Sequence, residues 1–268
     1  MEKIDTLVVT ATLGDRISLD RTLKSVNLIG KDRVKHIIVA PAKECDIISH
    51  KYPNLEVIPE PDKCNGIYPA LNSVFLKYAK DYKYLSFLND DDYWLPDYNK
   101  LFIILDNNSE IDVAYGRVFY IDENNKLITE QTSSSRYKSF KSLLSKGIIL
   151  FTQQAVLMRS ELFLKIGGFD ESYKLIADTN FWLKAIDEQA KFQYSNTICA
   201  AYTIQQGQLS SNGKLQKAEH ERLLNNYKSN SACSFVNKVL FRLTNISIYA
   251  KRYIINRKFK RMDSLFQK

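Results

Sequence analysis

The residues with the most chemical potential stand four in a row, Asn89-Asp90-Asp91-Asp92. They follow the apolar run Tyr84-Leu85-Ser86-Phe87-Leu88, so three carboxylates gather at the end of a segment that reads as a buried strand. Neighbouring carboxylates repel one another and resist desolvation. A hard divalent cation, Mg2+ or Mn2+, relieves both effects through oxygen ligands and leaves positions for phosphate. An exposed aspartate-rich turn also fits the triplet taken alone, as does a helix cap supplied by Asp92 ahead of Trp94-Leu95-Pro96. A further carboxylate, Asp178, precedes Phe181, Trp182 and Ala185 at helical spacing. There it can cap a helix, stabilising it by about 1 kcal/mol, or take a proton from an attacking hydroxyl.

Positioning such groups requires a scaffold. Leu7-Val8-Val9-Thr10 predicts a strand, and Leu19, Leu23, Val26 and Ile29 predict a helix within residues 17–29. Strands are predicted at His36-Ile37-Ile38-Val39, Leu55-Glu56-Val57-Ile58 and residues 84–88, with a helix over 67–82. Alternating strands and helices imply an α/β fold with a largely parallel, doubly wound sheet. Ligands of such sheets lie beyond the carboxyl ends of the strands, which here carry residues 10–16, 59–66 and 89–93. Later strands are predicted near 113–121, 154–158 and 192–204, with a helix over 178–189.

The 268-residue chain is 45% hydrophobic, enough for one large domain with an appendage. It lacks the roughly 18 uninterrupted apolar residues of a membrane span and the cationic-then-apolar order of a signal peptide, so a cytoplasmic location is expected. Cys45, Cys64, Cys199 and Cys233 are too widely spaced for a zinc knuckle and read as reduced thiols. The net charge of +8 is concentrated near the end. From Lys238 to Lys268, cations including Arg242, Lys251, Arg252, Arg257, Lys258, Lys260 and Arg261 alternate with apolar residues. That is the pattern of a basic amphipathic helix, which either lies on an anionic membrane or packs on its own domain. Basic residues interleaved with aromatics across a face are confined to this tail, so no nucleic-acid partner is expected.

The run Phe87-Leu88-Asn89-Asp90-Asp91-Asp92-Tyr93-Trp94-Leu95-Pro96 resembles the acidic DxD region of family 2 glycosyltransferases of the GT-A fold. Two further blocks follow in family order. Ile166-Gly167-Gly168-Phe169-Asp170-Glu171 is similar to the family's GGFDE turn, and Ala177-Asp178-Thr179-Asn180-Phe181-Trp182-Leu183 to its acidic helix segment. Thr152-Gln153-Gln154-Ala155-Val156-Leu157-Met158-Arg159 resembles a strand facing the acceptor. The stretch from Pro59 to Asn72 looks like the "D-x-G-I-Y-D-A-x-N" segment of a subgroup that assembles bacterial surface polysaccharides. It carries two additional residues before Gly66 and has Pro69 where an Asp is usual. Thr10-Ala11-Thr12 resembles a nucleotide-contacting strand end, although the usual Tyr-Asn-Arg is replaced by Leu13-Gly14-Asp15-Arg16. Ala40-Pro41 stands where the family has an Asp for the base or ribose.

The resemblance covers residues 4 to about 206 and implies a GT-A domain over 1–206, with a nucleotide-binding half to about 110 and an acceptor half after it. Residues 207–268 are expected to form a helical, basic amphipathic extension outside it. The resemblance implies an inverting, metal-dependent hexosyl transfer from a nucleotide-diphosphate sugar, by family habit a UDP-sugar, to a saccharide or lipid-linked acceptor, and the basic tail adds an expected peripheral contact with the cytoplasmic face of the membrane. Asp178 is implied as catalytic base, Asp91 and Asp92 as ligands of Mn2+ or Mg2+, and Thr10, Ala11, Thr12, Asp62, Asn89 and Asp90 as donor contacts. The alternative is a degenerate domain that holds a nucleotide sugar or polysaccharide without turnover. A nucleotidyltransferase ranks lower, since no Gly-rich, Lys- or Arg-bearing phosphate loop follows the first strand.

Overall fold

The computed structural model describes residues 4–205, 213–227 and 231–254. Strand and helix alternate from the start: β1 (Thr6–Ala11), α1 (Leu19–Gly30), β2 (Val34–Ala40), α2 (Ala42–Lys51), β3 (Glu56–Pro59), α3 (Ile67–Tyr78) and β4 (Tyr84–Phe87). Then come β5 (Tyr93–Trp94), α4 (Asn99–Asn107), β6 (Val113–Asp122), β7 (Leu127–Glu130), α5 (Phe140–Leu144), β8 (Val156–Arg159), α6 (Ser160–Ile166), α7 (Ala177–Asp187) and β9 (Phe192–Ile204). Two helices, α8 (Gly213–Asn226) and α9 (Ser231–Thr244), follow, and the chain is helical again over 246–254.

The strands form one mixed sheet in the order β3-β2-β1-β4-β8-β6-β9-β5, with β7 paired to β6. β1 to β4 are parallel, β8 is antiparallel to both β4 and β6, and β9 is parallel to β6. The carboxyl ends of β1, β2, β3, β4, β6 and β9 therefore share one edge. Period-two alternation divides the core between the two faces. Leu7, Val9, Ile37, Val39, Leu85 and Phe87 pack with α3 and α7 residues, whereas Val8, Tyr84, Ala114 and Leu157 pack against α1 and α4. Both faces are covered, which is why these strands read as continuous apolar runs.

α8 and α9 are not a separate body. Leu223 and Phe241 are buried in the same cluster as the α3 and α7 side chains. The tail residues Ile255, Arg257, Lys258, Phe259, Lys260, Arg261 and Lys268 lie outside the described residues. All four cysteines are free thiols, and among the described residues no helix is long and apolar enough to cross a membrane.

One close approach shapes the middle of the sheet. The β6–β9 register slips around Gly116, where an added Cβ would lie 2.3 Å from Cys199 Sγ. Replacing Gly116 by Ala should destabilise the fold by about 2 kcal/mol, through overpacking that neither strand can relieve. Thermal denaturation checks this, and adding Cys199→Ala should restore part of the loss by removing the opposing sulfur.

Candidate active site at the carboxyl edge of the sheet

The loop after β4 carries its three carboxylates to the shared edge, and each is held differently. Asp92 is fully buried. Its Oδ1 accepts the Thr203 N–H at 2.8 Å, and its Oδ2 accepts Gln154 Nε2 at 2.7 Å and Asn89 Nδ2 at 3.1 Å. Burial, reinforced by the charge of Asp91, pushes its carboxyl well above the usual range. Asp92 was expected to ligate a cation beside Asp91, but its oxygens point inward and hold the loop to β9 and to the turn before β8.

Asp90 and Asp91 face the rim. Asp90 Oδ2 accepts the Thr12 hydroxyl at 2.6 Å, and burial raises its carboxyl to about 6. Asp91 Oδ2 accepts Arg16 Nη1 at 2.8 Å and Gln205 Nε2 at 2.9 Å, while Arg16 Nε lies 3.2 Å from Asp90 Oδ1. The positive charge that two packed carboxylates demand is thus supplied by Arg16, whose side chain remains 31% exposed.

The loop backbone is fixed from behind. Arg21 Nη2 donates to Asp91 O at 3.0 Å, Thr203 Oγ1 to the same oxygen at 2.5 Å, and Thr22 Oγ1 to Asp92 O at 2.6 Å. The Arg21 guanidinium also lies over the Tyr93 ring, 4.4 Å from its centroid.

Asp178 reaches the same edge from the other side of the chain. It is the second residue of α7, and Tyr68, the second residue of α3, places its hydroxyl 3.1 Å from both Asp178 Oδ1 and Leu175 O. The Thr179 N–H donates to the same Oδ1 at 2.7 Å, which leaves Oδ2 without a hydrogen bond among the described residues. Protein packs closely round the carboxyl, yet part of the residue stays accessible. Burial raises its pKa, against the lowering effect of the Thr179 and Tyr68 hydrogen bonds. Because α3 begins after the loop leaving β3, the Tyr68–Asp178 pair lies on the side of the sheet where the carboxyl ends of β1 to β4 also emerge.

Its position is fixed by two devices. Asn72, one turn along α3 from Tyr68, exchanges hydrogen bonds with Phe169, accepting its N–H at 2.9 Å and donating to its oxygen at 2.8 Å. Gly168 permits this contact with a φ of +87°, in a place where a Cβ would meet Asn72 Oδ1 at 2.8 Å. From α8, the buried carboxylate of Glu219 accepts the N–H groups of Lys174 at 2.7 Å and Leu175 at 3.0 Å.

The remaining expected donor contacts divide. Ala11 and Thr12 lie at the rim, and the Thr12 hydroxyl also accepts the Gly14 N–H at 3.0 Å. Thr10 is wholly buried, and its hydroxyl pairs with His36 at 2.9 Å below the rim, so its side chain does not face a nucleotide. Burial holds that histidine neutral, with its pKa down at about 3. Asp62 is exposed on the turn closed by the Cys64 N–H to Pro61 O hydrogen bond of 2.8 Å, with no hydrogen bond to its side chain among the described residues. Asn89 is half-buried, and its Oδ1 has no hydrogen-bond partner among the described residues.

The donor chemistry fits Mg2+ or Mn2+ as a shared site. Asp91 and Asp90 offer hard oxygens at the rim, with the unpaired Asn89 Oδ1 behind them. Among the described residues no three carboxylate, imidazole or thiol groups form a closed cage. These ions are commonly bound by one or two carboxylates, with water and substrate phosphate completing the shell.

A mostly parallel sheet crossed by one antiparallel inner strand, with an acidic loop after β4, defines the GT-A glycosyltransferase fold. The crystal structure of S. aureus TarS 1-349 with UDP-GlcNAc superposes with a TM-score of 0.60 at 15% identity, over 86% of this chain and 69% of that one. The complex of the same fragment with UDP gives a TM-score of 0.56. In sequence the chain is similar to an uncharacterized glycosyltransferase of Methanocaldococcus jannaschii, MJ1057, 28% identical over 124 residues, or 46% of this chain and 42% of that protein. It also resembles an uncharacterized glycosyltransferase of Haemophilus influenzae, 25% identical over 142 residues, or 50% of this chain and 48% of that protein. The matches span less than half the length of these curated relatives. No protein-family model matches the chain.

Proposed function

We propose that this protein is an inverting glycosyltransferase that moves a sugar from a nucleotide-diphosphate donor, a UDP-sugar, to a hydroxyl of a saccharide or lipid-linked saccharide, in the assembly of surface polysaccharide. The observation that carries the reading is Asp178, a carboxyl with a raised pKa and one oxygen that accepts no hydrogen bond among the described residues, at the start of α7 on the side of the sheet where the loop bearing Asp90 and Asp91 leaves β4. The UDP and UDP-GlcNAc complexes of TarS, which shares the fold, support the choice of donor.

Asp91, with Asp90 beside it, would hold Mn2+ or Mg2+, whose chemistry is to neutralise the charge growing on the departing diphosphate. Asp178 Oδ2 takes the proton of the acceptor hydroxyl as its oxygen attacks the anomeric carbon from the face opposite the diphosphate. One displacement inverts that carbon without a covalent enzyme intermediate. Thr12, anchored to Asp90, positions the loop that meets the nucleotide, and the partly exposed Arg16 supplies a positive charge at the phosphates. A thermal-shift panel of nucleotide sugars tests the donor assignment. UDP-sugars should raise Tm more with Mn2+ than without it, and equal shifts for unrelated nucleotides would contradict it.

Arg16 competes with the cation for the same carboxylates. Arg16→Gln should therefore tighten Mn2+ binding in the absence of nucleotide by about tenfold, equivalent to ~1.4 kcal/mol. Electron paramagnetic resonance of free Mn2+ reads this directly, and unchanged affinity would show that the guanidinium does not guard the site.

The base role also fixes a pH sign. Asp178 must be ionised, so kcat falls as pH drops through its raised pKa, and the acid limb lies above the ordinary carboxylate value of 3.8. The Tyr68 hydroxyl lowers that pKa. Tyr68→Phe should move the limb to higher pH, and a limb that stays or moves down would assign it to another group.

A further inference from the structure

α9 and the helix over 246–254 carry two opposed stripes. On one, Ser234, Phe241, Asn245 and Ile248 are buried against the domain. Asn245 binds both backbone groups of Ser133, accepting its N–H at 3.1 Å and donating to its oxygen at 2.9 Å. Further along, Arg252 donates to Thr129 Oγ1 at 2.9 Å and to Glu130 O at 2.8 Å. These anchors fix the rotation of both helices, and the buried spacing 241, 245, 248 carries the phase through the turn between them.

The opposite stripe is apolar and open. Phe235, Val236, Val239, Leu243, Ile246 and Ile254 are 63%, 55%, 40%, 60%, 65% and 57% exposed. At 3.6 residues per turn they fall within an arc of about 100°. Surface hydrophobics scattered singly are ordinary, whereas a contiguous row along two successive helices marks an interface. Lys238 and Arg242 flank the row, with no ion pair among the described residues. No Asp or Glu occurs between Glu221 and Asp263.

That charge pattern chooses the occupant. Two copies pairing through this row would bring their cations together with no acidic residue on either segment to offset them. An anionic lipid surface accepts both features, the apolar row entering the acyl boundary and the flanking cations meeting headgroup phosphates. We infer that the outward face of these two helices is a lipid-docking surface that seats the protein on an anionic bilayer without spanning it.

The test uses the full chain and co-sedimentation with phosphatidylcholine vesicles, with and without phosphatidylserine. The wild type should bind the phosphatidylserine vesicles and lose that binding as salt is raised. Leu243→Glu together with Ile246→Glu should lower vesicle binding by about tenfold or more. Both side chains are exposed, so Tm should be unchanged. Lys238→Gln with Arg242→Gln should weaken binding to phosphatidylserine vesicles and leave the weak binding to neutral ones alone. Failure of the wild type to bind, or full binding by the Leu243/Ile246 variant, overturns the inference. So does a wild-type dimer in light scattering that this variant converts to monomer, because it assigns the row to a second copy. None of these readouts depends on sugar transfer, so the docking surface and the proposed activity stand or fall separately.

Discussion

Replacing Asp178 by Asn should lower kcat for sugar transfer by about 10²- to 10⁴-fold and leave the donor dissociation constant within about twofold of wild type, the range expected when a general base is removed. The substitution is conservative where it touches the fold. An amide oxygen still accepts the Thr179 N–H and the Tyr68 hydroxyl, the two bonds that Oδ1 now receives. What is lost is the basicity of Oδ2, which accepts no hydrogen bond among the described residues. Steady-state transfer assays read kcat, and titration calorimetry reads donor binding. Transfer at near-normal rates would remove Asp178 from the mechanism, whereas loss of donor binding would make it a structural residue.

The second large effect is on stability. Asp92→Ala should destabilise the protein by about 3 kcal/mol, lowering Tm by roughly 6–12 °C, because it strands three buried donors at once. Those donors are the Thr203 N–H, Gln154 Nε2 and Asn89 Nδ2. Relief of carboxylate burial offsets part of the loss, since Asp92 is ionised only against a strong desolvation penalty. Asp92→Asn should be milder, because the Gln154 amide can turn over and present Oε1, an atom now unpartnered, to the new Asn Nδ2. Melting curves of the two variants decide this. Equal and small losses would mean that Asp92 does not tie the acidic loop to β8 and β9.

Much of the scaffold is legible in the sequence because its strands are buried on both faces. β1, β2 and β4 appear as apolar runs, and α1 shows its buried row of Leu19, Leu23, Val26 and Ile29. Elements with little core contact are silent. α2 buries only Ile48, β7 buries none of its four residues, and β5 has two residues. Two boundaries shift for local reasons. The helix predicted over 67–82 ends at Tyr78 and tightens into a 3-10 turn over Ala79–Asp81, and the strand predicted from Gln154 begins at Val156 because Gln153–Ala155 turns to aim Gln154 at Asp92.

The candidate site was legible as chemistry but not as a network. The acidic loop and Asp178 announce themselves by residue type, and strand order places them on one edge. Their partners come from far along the chain. Arg16, Gln154, Thr203 and Gln205 lie 62 to 114 positions from the aspartates they hold, and no local pattern encodes such pairings. Arg16 stood in the sequence only as a departure in the loop after β1, and Tyr68 only as part of a helix start. Thr10 shows the converse limit, since its position at a strand end did not reveal that its hydroxyl pairs with His36 on the neighbouring strand.

The central claim is that this protein transfers sugar from a nucleotide diphosphate. Its most direct test is release of nucleoside diphosphate from a panel of nucleotide sugars with Mn2+ and a mixture of saccharide and lipid-linked acceptors, with the product's anomeric configuration read by NMR. The account predicts UDP release matched by an acceptor glycosylated with inverted configuration. Donor binding without release of nucleoside diphosphate, or a product of retained configuration, would contradict it.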